Sequence, residues 1–274
     1  MKIQKKTVIS FVLLTAVLLI TFTANASAQQ QTIADKLIRL HVIANSDSEY
    51  DQSMKLFVRD AVIDKLQKLL TVYNKKFIPN EYRRSWSQQF CDTTFPKYWY
   101  EVFKAADSLE RNLRVLEVGC GQGDVTSIFC YLGFTDITSY ERDKAMNQVA
   151  INKIENLFKR TDIIKKESFP TLEKNESDIL VLVNCVYSDG ATNKEEYIQY
   201  ILRMYEMSGK PGYFFLEVID PSYNVPDENF PYHVRLSEED VRAMFPQAKI
   251  DSIETYRYPQ NKRTKRLYII RVIK

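Results

Sequence analysis

Glycine is scarce in this chain: 7 of 274 residues. Three of them, Gly119, Gly121 and Gly123, fall within five positions, so that cluster marks a place where the backbone needs freedom or a close approach. Histidine is scarcer still, with His41 and His233 alone. The cysteines, Cys91, Cys120, Cys130 and Cys185, show no Cys-x-x-Cys spacing. The two shortages together argue against a zinc site and leave the cysteines as small buried thiols. Net charge is only +3, too small to argue for a nucleic-acid partner. There is no internal repeat, and Gln29-Gln30-Gln31 is the one low-complexity tract. What is present is ordinary globular composition, 45% hydrophobic and 27% charged. That length and mixture suit one large or two small domains.

The glycine cluster follows a short, mostly apolar run, Leu113 to Val118, that reads as a buried strand with Glu117 near its end. A strand, a Gly-rich turn and a helix is how α/β sheets bind nucleotide-like ligands. The spacing is not the dinucleotide fingerprint, whose third glycine comes one residue later. A Gly-rich turn can also close an ordinary strand–helix corner. As a pattern, Glu-x-Gly-x-Gly-x-Gly resembles the first motif of class I S-adenosylmethionine (SAM)-dependent methyltransferases. The following elements continue the resemblance. Asp124 to Leu132 should be a helix stopped by Gly133. Asp136 to Tyr140 should be a strand that ends at Glu141, about twenty residues past the glycines. A carboxylate there can accept hydrogen bonds from both ribose hydroxyls; a solvated strand-end carboxylate is the plainer alternative. Arg142 then opens a helix to about Phe158.

Asp162 to Lys165 reads as a short strand, and Glu167-Ser168 follows where the family often places an acidic residue beside adenine. Asp178 starts the most apolar strand, Ile179 to Val183, and Asn184 ends it where cofactor and substrate should meet. After a helix over Lys194 to Met207 comes a strand, Tyr213 to Ile219. Leu236-Ser237-Glu238-Glu239-Asp240 looks like a capped helix start. Lys249 to Tyr258 and Arg266 to Ile273 read as a closing strand pair. The resemblance spans about residues 95–274. It implies a Rossmann-like α/β fold, a mostly parallel seven-stranded sheet with a C-terminal antiparallel pair. It implies a SAM cofactor held by Glu117, Gly119, Cys120, Gly121, Gly123, Glu141, Arg142, Glu167, Ser168 and Asn184. Asn184-Cys185-Val186-Tyr187 is not the Asn/Asp-Pro-Pro-aromatic motif of amino-targeting nucleic-acid enzymes. A small-molecule methyl acceptor is the default, with no nucleic acid. No metal and no catalytic base is assigned. Asn184, Asp189, Glu217, Asp220 and His233 are candidate orienting groups, though none has a distinctive local motif and a solvated polar residue is the favoured reading of each. Pro221 to Tyr232 reads as a loop or lid.

The amino terminus differs. Lys2, Lys5 and Lys6 precede an uncharged, apolar run from Thr7 to Ala24, then Ala26-Ser27-Ala28. These are the three regions of a secretory signal peptide, or of a signal anchor that associates with the membrane through residues 7–24. Beyond it, Leu37 to Ala44 reads as a strand and Tyr50 to Leu70 as an amphipathic helix. Leu37-Ile38-Arg39-Leu40-His41-Val42-Ile43-Ala44-Asn45-Ser46-Asp47-Ser48, with Val58-Arg59-Asp60-Ala61-Val62, resembles the start of stage II sporulation protein R over residues 34–70. That resemblance implies an exported signal whose partner is a membrane protease that activates a sigma factor. The expected organisation is therefore a signal segment over 1–28 and a small α+β fragment over 29–70. A helical, aromatic-rich lead-in follows over 71–110, then a methyltransferase domain over 111–274. The halves imply different compartments, export for one and cytoplasm for the other. A genuine fusion, a gene-model chimera and a cytoplasmic enzyme on an anchor all accommodate them.

Overall fold

The computed structural model describes residues 40–43, 56–58, 61–78, 97–185, 190–228, 230–258 and 263–273. The apolar run over 7–24, Cys91 and Asp189 lie outside the described residues. No described helix is long and apolar enough to cross a membrane.

In chain order the strands β1 (Leu40–Ile43) and β2 (Leu56–Val58) come first and pair antiparallel. Helix α1 (Ala61–Phe77) follows. This corrects the expected Tyr50–Leu70 helix. Leu56-Phe57-Val58 is a short apolar run with a helical neighbour, and pairing with β1 decides it as strand. The helix runs through Leu70 and Thr71 without a break.

The large unit begins with α2 (Lys97–Asp107) and continues as β3 (Val115–Val118), α3 (Asp124–Leu132), β4 (Ile137–Tyr140), α4 (Lys144–Phe158) and β5 (Ile164–Lys165). Then come β6 (Ile179–Leu182), α5 (Lys194–Met207), β7 (Tyr213–Ile219), α6 (Glu238–Met244), β8 (Ala248–Tyr258) and β9 (Arg263–Val272). Local chemistry accounts for many of the boundaries. Gly133, at φ +88°, stops α3 in a conformation that side chains resist. The Asp143 carboxylate accepts from the Ala145 and Met146 N–H groups to start α4. Ser237 and Asp240 form a reciprocal capping box at α6.

The seven strands lie in the order β5-β4-β3-β6-β7-β9-β8. The first five are parallel, and β9 runs antiparallel between β7 and β8. The expected mostly parallel sheet with a C-terminal antiparallel pair is what forms. Strand β6 is buried along its whole length, as a central strand covered on both faces must be. One core lies between the sheet and α2, α3 and α4, and the other between the sheet and α5 and α6. Helix α1 joins the first core through Leu66 and Leu70, both essentially unexposed.

Candidate functional site

The site forms where β3 ends. The chain turns at Gly119, Gly121 and Gly123, all with positive φ (+68°, +55° and +76°). The Gly119 and Cys120 N–H groups both donate to the Tyr140 carbonyl, at 2.9 and 3.0 Å, which ties the turn to the end of β4. Two of the glycines are also required by packing. A Cβ on Gly119 would lie 2.7 Å from the Cys185 Cβ, and one on Gly123 would lie 3.1 Å from the Ala150 Cβ. The first contact presses the chain after β6 onto the turn; the second lets α4 close against it.

Glu141 takes a central place. Its Oε2 accepts from Gly121 N at 2.8 Å and its Oε1 from Asp143 N at 2.8 Å. The carboxylate therefore joins the glycine turn to the start of α4. A carboxylate has about four lone-pair sites, so both oxygens keep capacity for a hydroxyl donor. Partial burial raises its pKa, and the two N–H bonds oppose that rise.

Glu117 behaves differently. It is 2% exposed, and its Oε2 accepts from Thr126 Oγ1 at 2.5 Å and Ser139 Oγ at 3.3 Å. That oxygen supports the turn from beneath. Burial pushes the Glu117 carboxyl up to about 7, against the lowering effect of those two hydroxyls. The Cys120 thiol is buried beside it and is held well above the usual thiol range, first by burial and then by the Glu117 and Glu141 charges. It is not a reactive nucleophile. Arg142 is exposed where α4 begins. Glu167 and Ser168 are exposed just past β5, at the same edge of the sheet.

Asn184 stands just past β6 with φ +56°. Its backbone N–H donates to Glu217 Oε2 at 3.0 Å, and its side-chain Oδ1 accepts from Lys265 Nζ. Glu217 is 1% exposed, and its Oε1 accepts from Thr255 Oγ1 at 2.6 Å. Lys265 Nζ lies 3.9 Å from Glu217 Oε2. The structure thus brings Asn184 and Glu217 together and adds Lys265 and Thr255, which sequence reasoning missed. A trace of Lys265 was available: it shares the inward parity of Leu267 and Ile269 on β9, where a lysine is out of place. Asp220 instead accepts from Arg266 Nε at 2.5 Å and from Ser222 N at 2.8 Å, which occupies it in shaping a turn. His233 lies on the short 3₁₀ helix Tyr232–Val234.

The segment expected as a loop or lid over 221–232 is tied from within. The buried Arg235 guanidinium donates to the carbonyls of Tyr223, Val225 and Phe230 and lies against the rings of Tyr223 and Tyr232, 4.5 and 4.1 Å from their centres. Among the described residues, no cluster of His, Cys, Asp and Glu could hold a metal ion.

A family model described as a methyltransferase domain matches residues 85–265, and one for stage II sporulation protein R matches residues 34–94. The second match reaches past the residue-level resemblance and includes all of α1. No curated protein is significantly similar to the chain. Among solved structures, magnesium protoporphyrin IX methyltransferase from Synechocystis, with bound SAM, has a TM-score of 0.50 at 14% identity, covering 75% of this chain and 97% of that one. The same enzyme with bound SAH gives 0.51 at 13%, covering 75% and 99%. TehB from Haemophilus influenzae gives 0.50 at 17%, covering 75% and 67%. At these identities the likeness shows a shared fold.

Proposed function

The chain belongs to the methyltransferase-domain family, and from that premise we propose that it transfers a methyl group from SAM to a small-molecule acceptor. The observation that carries this reading is the Glu141 carboxylate, bonded to the glycine turn on one oxygen and to the start of α4 on the other. Gly119, Gly121 and Gly123 keep the turn free of side chains, and Glu141 keeps acceptor capacity for ribose hydroxyls. Glu167 and Ser168 would serve the adenine side, Cys120 lies within the turn, Arg142 follows Glu141, and Glu117 braces the turn from below. When bound, SAM supplies an electrophilic methyl carbon on a sulfonium. The work left to the protein is to hold the acceptor atom close and in line and to exclude water.

Calorimetric titration of the full chain with SAM and SAH tests the proposal. Binding that is lost in Gly119→Val and weakened in Glu141→Ala supports it; a folded wild-type chain that takes up neither compound overturns it. A second reading is favoured by the match over residues 34–94, that of an exported sporulation signal whose partner is a membrane protease. A phosphatase reporter fused after Thr71 separates the two, since it is active only if the chain is exported.

A further inference from the structure

We propose that Lys265 is a positioning residue: it fixes the Asn184 amide with its NH2 group toward the methyl acceptor, which selects an acidic oxygen, carboxylate or phenolate, over an amine. The inference rests on the methyltransferase reading.

A lysine ammonium can only donate. The oxygen of the Asn184 amide must therefore face Lys265, as it does. The group is planar, so its NH2 points along the other branch. Among the described residues nothing accepts from that NH2, while Asn184 is only partly buried. The orientation is held from both ends. The Asn184 N–H is bonded to Glu217 Oε2, and Glu217 is in turn held by Thr255. Lys265 and Glu217 have side-chain exposures of 9% and 0%, so neither can swing into solvent and release the amide.

The location is also fixed. The next residue, Cys185, donates its Sγ–H to the Val118 carbonyl at 3.0 Å and sits where a Cβ on Gly119 would clash. Asn184 thus stands beside the glycine turn, at the carboxyl end of β6, where ligands bind in open α/β sheets.

An outward N–H donor suits an acceptor with lone pairs. An amine would need the opposite, an oxygen to take its N–H and a base to take its proton, yet Asn184 Oδ1 is turned to Lys265 and the Glu217 side chain is fully buried. An ionised oxygen needs neither. Its lone pair forms the new O–C bond, the S–C pair returns to sulfur, and no proton has to leave.

The test uses the full chain, with and without SAH, titrated with salicylate and with benzylamine. Wild type should bind salicylate about tenfold more tightly than benzylamine, the effect of about one hydrogen bond. Asn184→Asp offers only acceptors, so the preference should vanish or reverse. Lys265→Met with Glu217→Gln removes both charges together and lets the amide turn over, so the ratio should fall toward one. A merely structural role for Lys265 would leave the ratio unchanged. An unchanged ratio in both variants, a wild type with no preference or no binding, or an Asn184→Asp chain that loses SAH affinity instead would overturn the proposal. Absence of SAH binding to wild type overturns the cofactor reading separately, because the probe ratio is also read without SAH.

Discussion

Two lysines are buried among the described residues, and they sit in opposite kinds of surroundings. Lys153 on α4 is unexposed, and its Nζ lies 2.7 Å from Asp124 Oδ1, the first residue of α3. Helix α1 covers the pair, and Asn74 donates to the same oxygen at 3.3 Å. Lys265 on β9 lies 3.9 Å from its carboxylate and reaches the Asn184 amide instead. The first pair is closed and joins three helices. The second is looser, sits near the end of the sheet, and turns an amide outward. A buried charge pair is thus not one kind of feature: tight and fully covered, it holds elements in register; loose and at a sheet end, it can set the direction of a neighbouring dipole.

The contrast can be broken by substitution. The largest expected effect is at the closed pair. Asp124→Ala takes the carboxylate away from buried Lys153, which should cost about 3–5 kcal/mol in urea unfolding; a loss under about 1 kcal/mol would mean that water already reaches the pair. Next is Glu117. Its folded pKa is raised from 4.5 to about 7, so the folded chain binds a proton that the unfolded chain has released. Its contribution to stability is full below pH 4.5 and is lost as pH rises to about 7. The loss is at most about 3 kcal/mol, and Glu117→Gln should flatten the stability profile over that window. A variant profile parallel to wild type would show that Glu117 ionises normally.

Glu141→Ala should act on ligand affinity more than on the fold, weakening SAH binding by about 1–3 kcal/mol. Calorimetry on a chain with native circular dichroism reads it, and unchanged affinity rules out the ribose role. The smallest effect belongs to the open pair. Lys265→Met with Glu217→Gln should shift stability by about 1 kcal/mol or less, since removing both charges of a buried pair is often neutral. A large loss there would make the two lysines alike and would remove the distinction.

Much of the glycine-turn side was legible in the sequence because its signals are local. Three positive-φ glycines, a capped helix, a glycine stop and an acid at a strand end are each written in a few consecutive residues. The strand at β6 was legible because burial on both faces removes every polar residue from it. The Asn184 side was not. Glu217, Thr255 and Lys265 come from three strands, and their meeting depends on β9 inserting between β7 and β8, a register no short motif encodes. Arg235 is similar: its role is to gather carbonyls from an irregular loop, which composition does not reveal.

The N-terminal elements show the same division at closer range. The apolar stripe announced a helix before Leu70, but not where it would begin or end. Pairing with β1 made Leu56-Phe57-Val58 a strand, and packing of Leu66 and Leu70 against the first core carried the helix on to Phe77. Sequence alone determined the sheet type, the glycine turn and the carboxylate beside it, because backbone freedom, capping and burial act over a few residues. Only the tertiary structure decided that Glu117 faces inward, that Lys265 turns the Asn184 amide, and that α1 packs on the helices beside the turn. Those outcomes depend on which distant side chains share one buried space, and that is settled by packing.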